Sequence, residues 1–512
     1  MIGCGMVLLI VGFLAFLGGR DRGGAIVWLL LGAFVAYLGW KERPRSVSTN
    51  YTRPPNSPEL LPKKQAPLHT KSKISAQKTR PRETVKLDVD INEDFQSALR
   101  LIGEQCRSAF VTGRAGTGKS TLLKYFHSGT SRETVVLAPT GLAAVNVGGQ
   151  TIHSFFHFPP KLIEPDRLKV SRNTRLYKKL QMIIIDEVSM VRADLLDGID
   201  RFLRINRGQM DEPFGGVQIV MFGDPYQLPP IVRESDLKAY FERQYGGSYF
   251  FHAPVLRDNR LPLIELKTVY RQTDPNFIGI LNAVRENQLN KEVMANLNCR
   301  VIEPSALRNK SMYVTLTPTN QAAFEINMTF LESLKAPEFT FDAVITGKFD
   351  DHAHPTDETL RLRQGARVML LRNDPSKRWV NGTLATIANL KSNKIWIEVD
   401  GARYELEPET WENIKYEYDH DSHHIVEHVA GTFRQYPIRH AWAITIHKSQ
   451  GQTFDHVYID FGAGAFAHGQ AYVALSRCRS LDGLALARPL RSADVILDPD
   501  SLGFRQVFDP VA

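Results

Sequence analysis

An α/β fold built around a phosphate-binding loop is what this sequence predicts, and three stretches predict it. The first is Gly113-Arg114-Ala115-Gly116-Thr117-Gly118-Lys119-Ser120, which has the spacing G-x-x-x-x-G-K-[ST]. It lies between the apolar run Ala109–Thr112 and the helix-like run Thr121–Phe126, the strand–loop–helix context such a loop requires. The second is Met182-Ile-Ile-Ile185, which runs into Asp186-Glu187 and reads as a buried parallel strand with carboxylates at its end. The third is Val217–Phe222, which ends in Gly223-Asp-Pro-Tyr-Gln227-Leu-Pro-Pro230. Open α/β sheets bind ligands beyond the carboxyl ends of their strands, so all three endings point at one site.

Each residue type has a task there. Glycines let successive N–H groups turn toward phosphate oxygens, and the helix start adds its positive dipole end. The loop from Gly113 through Arg114, Ala115, Gly116, Thr117, Gly118, Lys119 and Ser120 to Thr121 is therefore read as a cradle for ATP. Lys119 would neutralise the outer phosphates and Ser120 would hold Mg2+. Asp186 would hold the same Mg2+ through water, and Glu187 would orient and deprotonate the attacking water. Gln227, at a strand end, is placed to sense the γ-phosphate; a Pro-rich turn is the competing reading of that stretch. Arg271 and Arg477 lie far along the chain from the loop. A guanidinium that reaches the γ-phosphate from a second domain couples closure to charge stabilisation, whereas an isolated Arg is ordinarily a surface ion pair.

Composition shifts divide the chain. Residues 1–40 are apolar apart from Arg20-Asp21-Arg22, in two runs of about 24–28 Å if helical, slightly short of a hydrocarbon core of about 30 Å. They are read as a transmembrane hairpin with Lys41, Arg43 and Arg45 on the cytoplasmic side, which leaves the rest at the cytoplasmic face of a membrane. A single anchor and a cleaved leader are the alternatives. The leader is disfavoured by the absence of Lys or Arg at the start. Residues 41–83 read as a disordered basic linker rich in Pro, Ser, Lys and Arg. Residues 41–82 hold 11 Lys and Arg against 2 acids, so they carry +9 of a whole-chain charge of +8, and the remainder is near neutral. Such a linker could bind anionic membrane lipids, bind DNA, or simply solubilise. Cys4, Cys106, Cys299 and Cys478 are scattered without C-x-x-C spacing, which fits a reducing compartment and argues against iron–sulfur or structural zinc. His420, His423, His424 and His428 read as a polar loop rather than a metal site.

Several ordered blocks go beyond the phosphate loop: Ala138-Pro-Thr-Gly-Leu-Ala-Ala144, Thr151-Ile-His-Ser-Phe155, Ile185–Ser189, Gly223–Gln227, Val269-Tyr-Arg271, Thr445-Ile-His-Lys-Ser-Gln-Gly451 and Tyr472-Val-Ala-Leu-Ser-Arg477. With them the chain resembles, from about Asp90 to Leu486, the PIF-type (petite integration frequency) DNA helicases, RecD-like members of superfamily one, B subgroup. The resemblance implies two tandem RecA-like domains, placed at 84–232 and at 233–381 with 441–512. It also implies a small SH3-like β-barrel insertion at 382–440, where Thr383–Ile387, Lys394–Val399 and Arg403–Leu406 alternate like short antiparallel strands.

The implied activity is ATP hydrolysis with Mg2+ driving 5′-to-3′ movement of a monomer on single-stranded DNA, with duplex junctions as further partners. Arg271 and Arg477 match the family's arginine fingers, and Gln96 matches its adenine-reading Gln. Thr140, His153 and Phe155, and then Thr445, His447, Lys448, Ser449 and Gln450, match its DNA-contacting blocks. The basic stretch 156–179, with seven Lys and Arg in 161–179, falls where the family carries a wedge-like element; a solvated loop is the plainer reading. The rival function is a membrane-tethered, DNA-stimulated ATPase that strips proteins or holds DNA without unwinding.

Overall fold

Strands made wholly of apolar residues must be covered on both faces, and the computed structural model collects them into two parallel sheets. It describes residues 91–232, 234–303 and 313–511; the expected membrane hairpin and basic linker lie outside these. Among the described residues, no helix is long and apolar enough to cross a membrane.

The first sheet contains β1 (Ala109–Gly113), β2 (Thr134–Ala138), β3 (Gln150–Thr151), β4 (Met182–Ile185), β5 (Gln218–Phe222) and β6 (Pro262–Leu266). With the short strand Asp509–Pro510 it has the order Asp509–Pro510, β6, β1, β5, β4, β2, β3. Every pairing is parallel. All residues of β1, β2, β4 and β5 are buried. One face carries Phe110, Tyr177, Phe202 and Phe250; the other carries Phe95, Leu122, Phe126 and Ile184. Helices flank these faces: α1 (Glu93–Leu99), α2 (Lys119–Gly129), α3 (Gly141–Val147) and α4 (Ile152–Phe156). Local caps start three of them. Asn92 accepts from Phe95 N, Thr140 from Ala143 N and Thr151 from Ser154 N.

The second sheet is smaller and also parallel, in the order Ala443–Thr445, Val314–Thr317, Val457–Ile459, Leu484–Leu486. Helices Pro275–Arg285 and Gln470–Leu475 pack their apolar side chains into its core. An antiparallel insertion interrupts it. Five strands pair in the order Ala402–Leu406, Lys394–Val399, Leu384–Lys391, Arg367–Leu370, Ile438–His440, and a long hairpin, Glu409–Tyr418 with Ile425–Gln435, pairs with Val344–Gly347.

Two boundaries differ from the sequence expectation. Pro262–Leu266, placed in the second domain by sequence, is β6 of the first sheet, bonded to β1 from Phe110↔Leu263 to Gly113↔Leu266. Asp509–Pro510 returns to the same sheet. Arg367–Leu370, expected as a strand of the second domain, pairs antiparallel with Leu384–Lys391 and with Ile438–His440. The reason is the same in both cases. An apolar run fixes that a strand is buried, but its neighbours are chosen by chain connection and by side chains elsewhere.

The hairpin of the insertion reaches the first sheet. Tyr416 Oη accepts from Val136 N at 3.2 Å, Tyr416 N donates to Gln150 Oε1 at 3.2 Å, and Ile425 N donates to Glu133 Oε2 at 3.0 Å. At its tip His420 pairs with Arg175 at 2.6 Å and His424 with Glu133. Among the described residues, no group of three or more His, Cys, Asp or Glu could hold a metal ion.

Candidate nucleotide-binding site

The loop between β1 and α2 wraps a cavity of about 770 Å³. Gly116 and Gly118 have φ of 84° and 83°. A Cβ at Gly116 would stand 2.5 Å from Arg271 Cβ, so no side chain fits where the loop meets that arginine. The cavity is lined by Ala115 to Thr121 of the loop and by Glu187, Gln227, Arg271 and Arg477, which the sequence had placed together, and by Phe95, Tyr270, Thr273, Gly451, Thr453 and Arg479. Gly113 and Arg114 contribute from behind, their carbonyls accepting from Lys119 Nζ at 2.7 and 3.1 Å.

The electrostatics of the cavity suit a Mg2+-bound triphosphate. Burial lowers the pKa of Lys119. Burial takes Arg271 down to about 10, and burial together with neighbouring Arg271 takes Arg477 well below the ordinary arginine range. Three cations facing one cavity, Arg477 buried and Lys119 and Arg271 half-buried, are relieved by a polyanion. Opposite them, Asp186 is pushed up to about 7 by burial and by Glu187, and burial also raises Glu187. Two crowded carboxylates, with the Ser120 hydroxyl on the loop that lines the cavity, are the kind of oxygen donor a hard divalent cation takes. Asp186 is buried and does not line the cavity; its Oδ1 accepts from Glu187 N at 2.9 Å. Glu187 has φ 49°, a left-handed conformation that costs about 1–3 kcal/mol in a non-glycine residue and turns its side chain off the strand axis.

The two arginines arrive by different routes. Arg271 follows β6 of the first sheet, not a second-domain strand as expected, and donates through Nη1 to Ser476 O at 3.0 Å. Arg477, 1% exposed, follows helix Gln470–Leu475 and donates through Nε to Val473 O and through Nη2 to Ser476 Oγ, both at 2.9 Å. Tyr472, to which the sequence reading gave no role, accepts from the loop's Ala115 N at 2.9 Å. It ties the phosphate loop to the helix that carries Arg477.

Gln96 does not reach the cavity. It is exposed, and its amide turns back to Ile91 O at 3.3 Å. The α1 side chain that lines the cavity is Phe95, and Tyr270, held by Asn92 Nδ2 at 2.9 Å, closes the same end. One residue of helical rotation separates the expected position from the observed one.

The expected strand-binding residues split in two. Thr140 is exposed at the start of α3, next to Gly141, where a Cβ would fall 2.5 Å from Ala353 Cβ of the insertion. His153 is half-buried, and burial lowers its pKa. Lys448 is exposed, while His447 and Gln450 are half-buried, so all three keep surface to offer. Phe155 is a correction. It is 2% exposed, with its ring against Phe156, Tyr177 and Tyr416 at 4.9, 5.6 and 6.0 Å, so it serves the core and offers no face to a base. Thr445 and Ser449 are also buried. Thr445 Oγ1 accepts from Lys448 N at 3.2 Å, and Ser449 Oγ donates to Ile446 O at 2.7 Å, so both hold the loop rather than face outward.

Two family models match the chain: PIF1-like helicase over residues 90–294 and UvrD-like helicase C-terminal domain over residues 440–481. The ATP-dependent DNA helicase Pif1 of Bdellovibrio bacteriovorus is 30% identical over 437 residues, covering 82% of this chain and 93% of that protein. The mouse ATP-dependent DNA helicase PIF1 is 33% identical over 412 residues; the match covers 77% of this chain but only 59% of the mouse protein's length. Pif1 of a Bacteroides species, 38% identical over 82% of this chain and 97% of its own, superposes with a TM-score of 0.76 in its ADP-AlF4 complex and 0.59 when bound to single-stranded DNA.

Proposed function

The chain belongs to the PIF1-like helicase family, and from that premise we propose that it is an ATP-dependent DNA helicase moving 5′-to-3′ along single-stranded DNA and parting duplex at tailed junctions. We read its two parallel sheets as RecA-like motor domains and its antiparallel insertion as the SH3-like element. One observation carries the reading. Arg477 directly follows a helix packed on the second sheet, yet it lines the same cavity as Lys119 and Glu187 of the first. Hydrolysis at such a site changes the charge that holds two lobes together, which is what a motor needs.

The proposal divides the labour among these residues. Lys119, Arg271 and Arg477 gather charge at the outer phosphates. Glu187 takes a proton from the attacking water. Ser120 and Asp186 would hold Mg2+, which would neutralise phosphate charge. Thr140, His153, His447, Lys448 and Gln450 are proposed to meet the DNA strand. Parting one duplex step takes about 1.4 kcal/mol, so each hydrolysis has ample drive for a step. Residues 1–40 and 41–83 are proposed as a membrane anchor and a basic linker, and the motor as a monomer.

The test uses matched substrates bearing only a 5′ or only a 3′ single-stranded tail, with and without ATP. ATP-dependent separation of the 5′-tailed substrate alone supports the proposal. Separation from the 3′ tail overturns the polarity. DNA-stimulated ATP hydrolysis with neither substrate parted favours a stripping translocase.

A further inference from the structure

Gln227 reaches the cavity from the turn that ends β5, and that turn is gripped by groups from the other half of the chain. Asp224 is 1% exposed. Its Oδ1 accepts from Arg285 Nη2 at 3.0 Å and from Tyr226 N at 3.2 Å, and its Oδ2 accepts from Gln227 Nε2 at 3.2 Å. Arg285 is 2% exposed and closes helix Pro275–Arg285, whose Phe277, Ile280, Leu281 and Val284 lie in the core of the second sheet. Its guanidinium lies 4.0 Å over the Tyr226 ring. The buried ion pair therefore bridges the two sheets beside the nucleotide cavity. The same turn is closed from a second side. His468 Nε2 donates to Pro225 O at 2.9 Å, and a Cβ at Gly469 would stand 2.5 Å from the carbonyl oxygens of Tyr226 and Gln227.

This arrangement settles the chemistry of the Gln227 amide. Burial alone would favour a protonated Asp224, but the charges of Arg285 and Lys119 and the hydrogen bonds from Arg285 and Gln227 together outweigh it and keep the carboxylate ionised. An ionised carboxylate only accepts hydrogen bonds, so Gln227 must present its NH2 group to Asp224. The carbonyl Oε1 is the prong left for the cavity.

We infer that Asp224 and Arg285 are positioning residues that fix which end of the Gln227 amide meets the nucleotide, so that Oε1 accepts a hydrogen bond from the attacking water. The inference rests on the ATPase reading above. In the step so arranged, one water O–H points to Glu187 and the other to Gln227 Oε1, which turns a lone pair toward phosphorus. The new P–O bond forms, the bridging P–O bond breaks with its electron pair leaving on ADP, and the proton passes to Glu187. Because Arg285 belongs to the second sheet, the amide is set only while the two sheets are together.

The test is a mutant cycle read on kcat for single-strand-stimulated ATP hydrolysis. It compares the full chain with Asp224→Ala/Arg285→Met, with Gln227→Ala, and with all three changes together. Removing both charges avoids stranding a buried ion. The paired variant is expected to lose about 10- to 100-fold in kcat, the scale of a misplaced group, with KM for ATP moved less than about threefold. The triple variant is expected to be no slower than Gln227→Ala. Losses that multiply, or an unchanged kcat in the paired variant, overturn the inference. If the paired variant does not fold, Asp224→Asn serves instead. Its side-chain amide can also donate and so frees Gln227 to turn over; lowered kcat at unchanged KM supports the inference, and wild-type kcat overturns it. A parent chain that hydrolyses no ATP on single-stranded DNA overturns the ATPase reading itself.

Discussion

Lys119 and Glu187 face each other across one small cavity, and their two substitutions separate binding from chemistry. Lys119→Ala is expected to weaken ATP binding and to abolish single-strand-stimulated hydrolysis. Glu187→Gln is expected to keep ATP binding while hydrolysis falls by at least about 100-fold, because only the base is lost. Fluorescent-nucleotide titration beside a coupled ATPase assay checks both, and full activity in Glu187→Gln would remove it as the base. A different residue reports on stability. Asp494, 1% exposed, accepts from Arg488 at 2.7 and 2.8 Å and from Arg491 N at 2.8 Å. Burial pushes its carboxyl up, but those bonds outweigh burial and hold it well below the ordinary range. A depressed carboxyl stabilises the fold above its unfolded pKa, and that stability is lost as pH falls through the folded value. Asp494→Asn is therefore expected to cost about 1–3 kcal/mol at pH 7 and progressively less below about pH 4, read from thermal melts across pH. The residues of the phosphate loop were legible in sequence because phosphate chemistry fixes their types and spacing together. Asp224 and Arg285 were not, since a buried ion pair 61 residues apart leaves no local pattern. Phe155 misled because an aromatic ring beside polar neighbours reads the same whether it stacks on a base or on Tyr177.

The hairpin Glu409–Gln435 is the element whose placement sequence could not supply. Alternating residues between Thr383 and Leu406 announced antiparallel strands nearby, but the hairpin itself was not read, and nothing in that alternation says that Tyr416 crosses to the first sheet. There its hydroxyl takes the amide of Val136 at 3.2 Å, in a strand buried at every position. Tyr416→Phe removes the acceptor and leaves a buried N–H, at about 1–3 kcal/mol. The expected outcome is faster amide exchange at Val136 and a lower melting temperature, with hydrolysis on saturating single-stranded DNA retained; unchanged protection at Val136 would show that the contact contributes nothing. The second boundary error belongs at this scale too. Arg367–Leu370 is buried at all four positions, the signature of a parallel strand, because it lies between two antiparallel neighbours with the core on both sides. A central strand of either sheet type reads alike when it is this short.

Charge is divided unevenly along the chain, and the proposed function makes that division a test of whether holding DNA and moving along it are separate. Residues 41–82 carry a net +9, and the chain beyond them is near neutral, so most of the charge available for long-range attraction lies outside the motor. Contacts to single-stranded phosphate release counterions, and each one steepens the salt dependence of binding by about 0.7 logarithmic units. Deleting residues 1–83 is therefore expected to weaken DNA binding at low salt and to flatten its dependence on salt, by an amount that counts the linker's phosphate contacts. Among the described residues, the cavity that holds Lys119, Glu187, Arg271 and Arg477 is lined by later parts of the chain, from Phe95 to Arg479. Hydrolysis at saturating DNA, and unwinding per bound molecule, are accordingly expected to stay within about twofold of the full chain, since the lost charge governs encounter rather than the catalytic step. Binding titrations at several salt concentrations, beside single-turnover unwinding, measure the two terms separately. Vesicles containing anionic lipid give the remaining arm: if the linker's charge serves a membrane surface, the full chain binds them, the truncated chain does not, and the DNA salt slope is the same for both. Loss of unwinding at saturating DNA in the truncated chain would mean that the N-terminal residues belong to the motor, and the division of labour proposed for the two parts would fall.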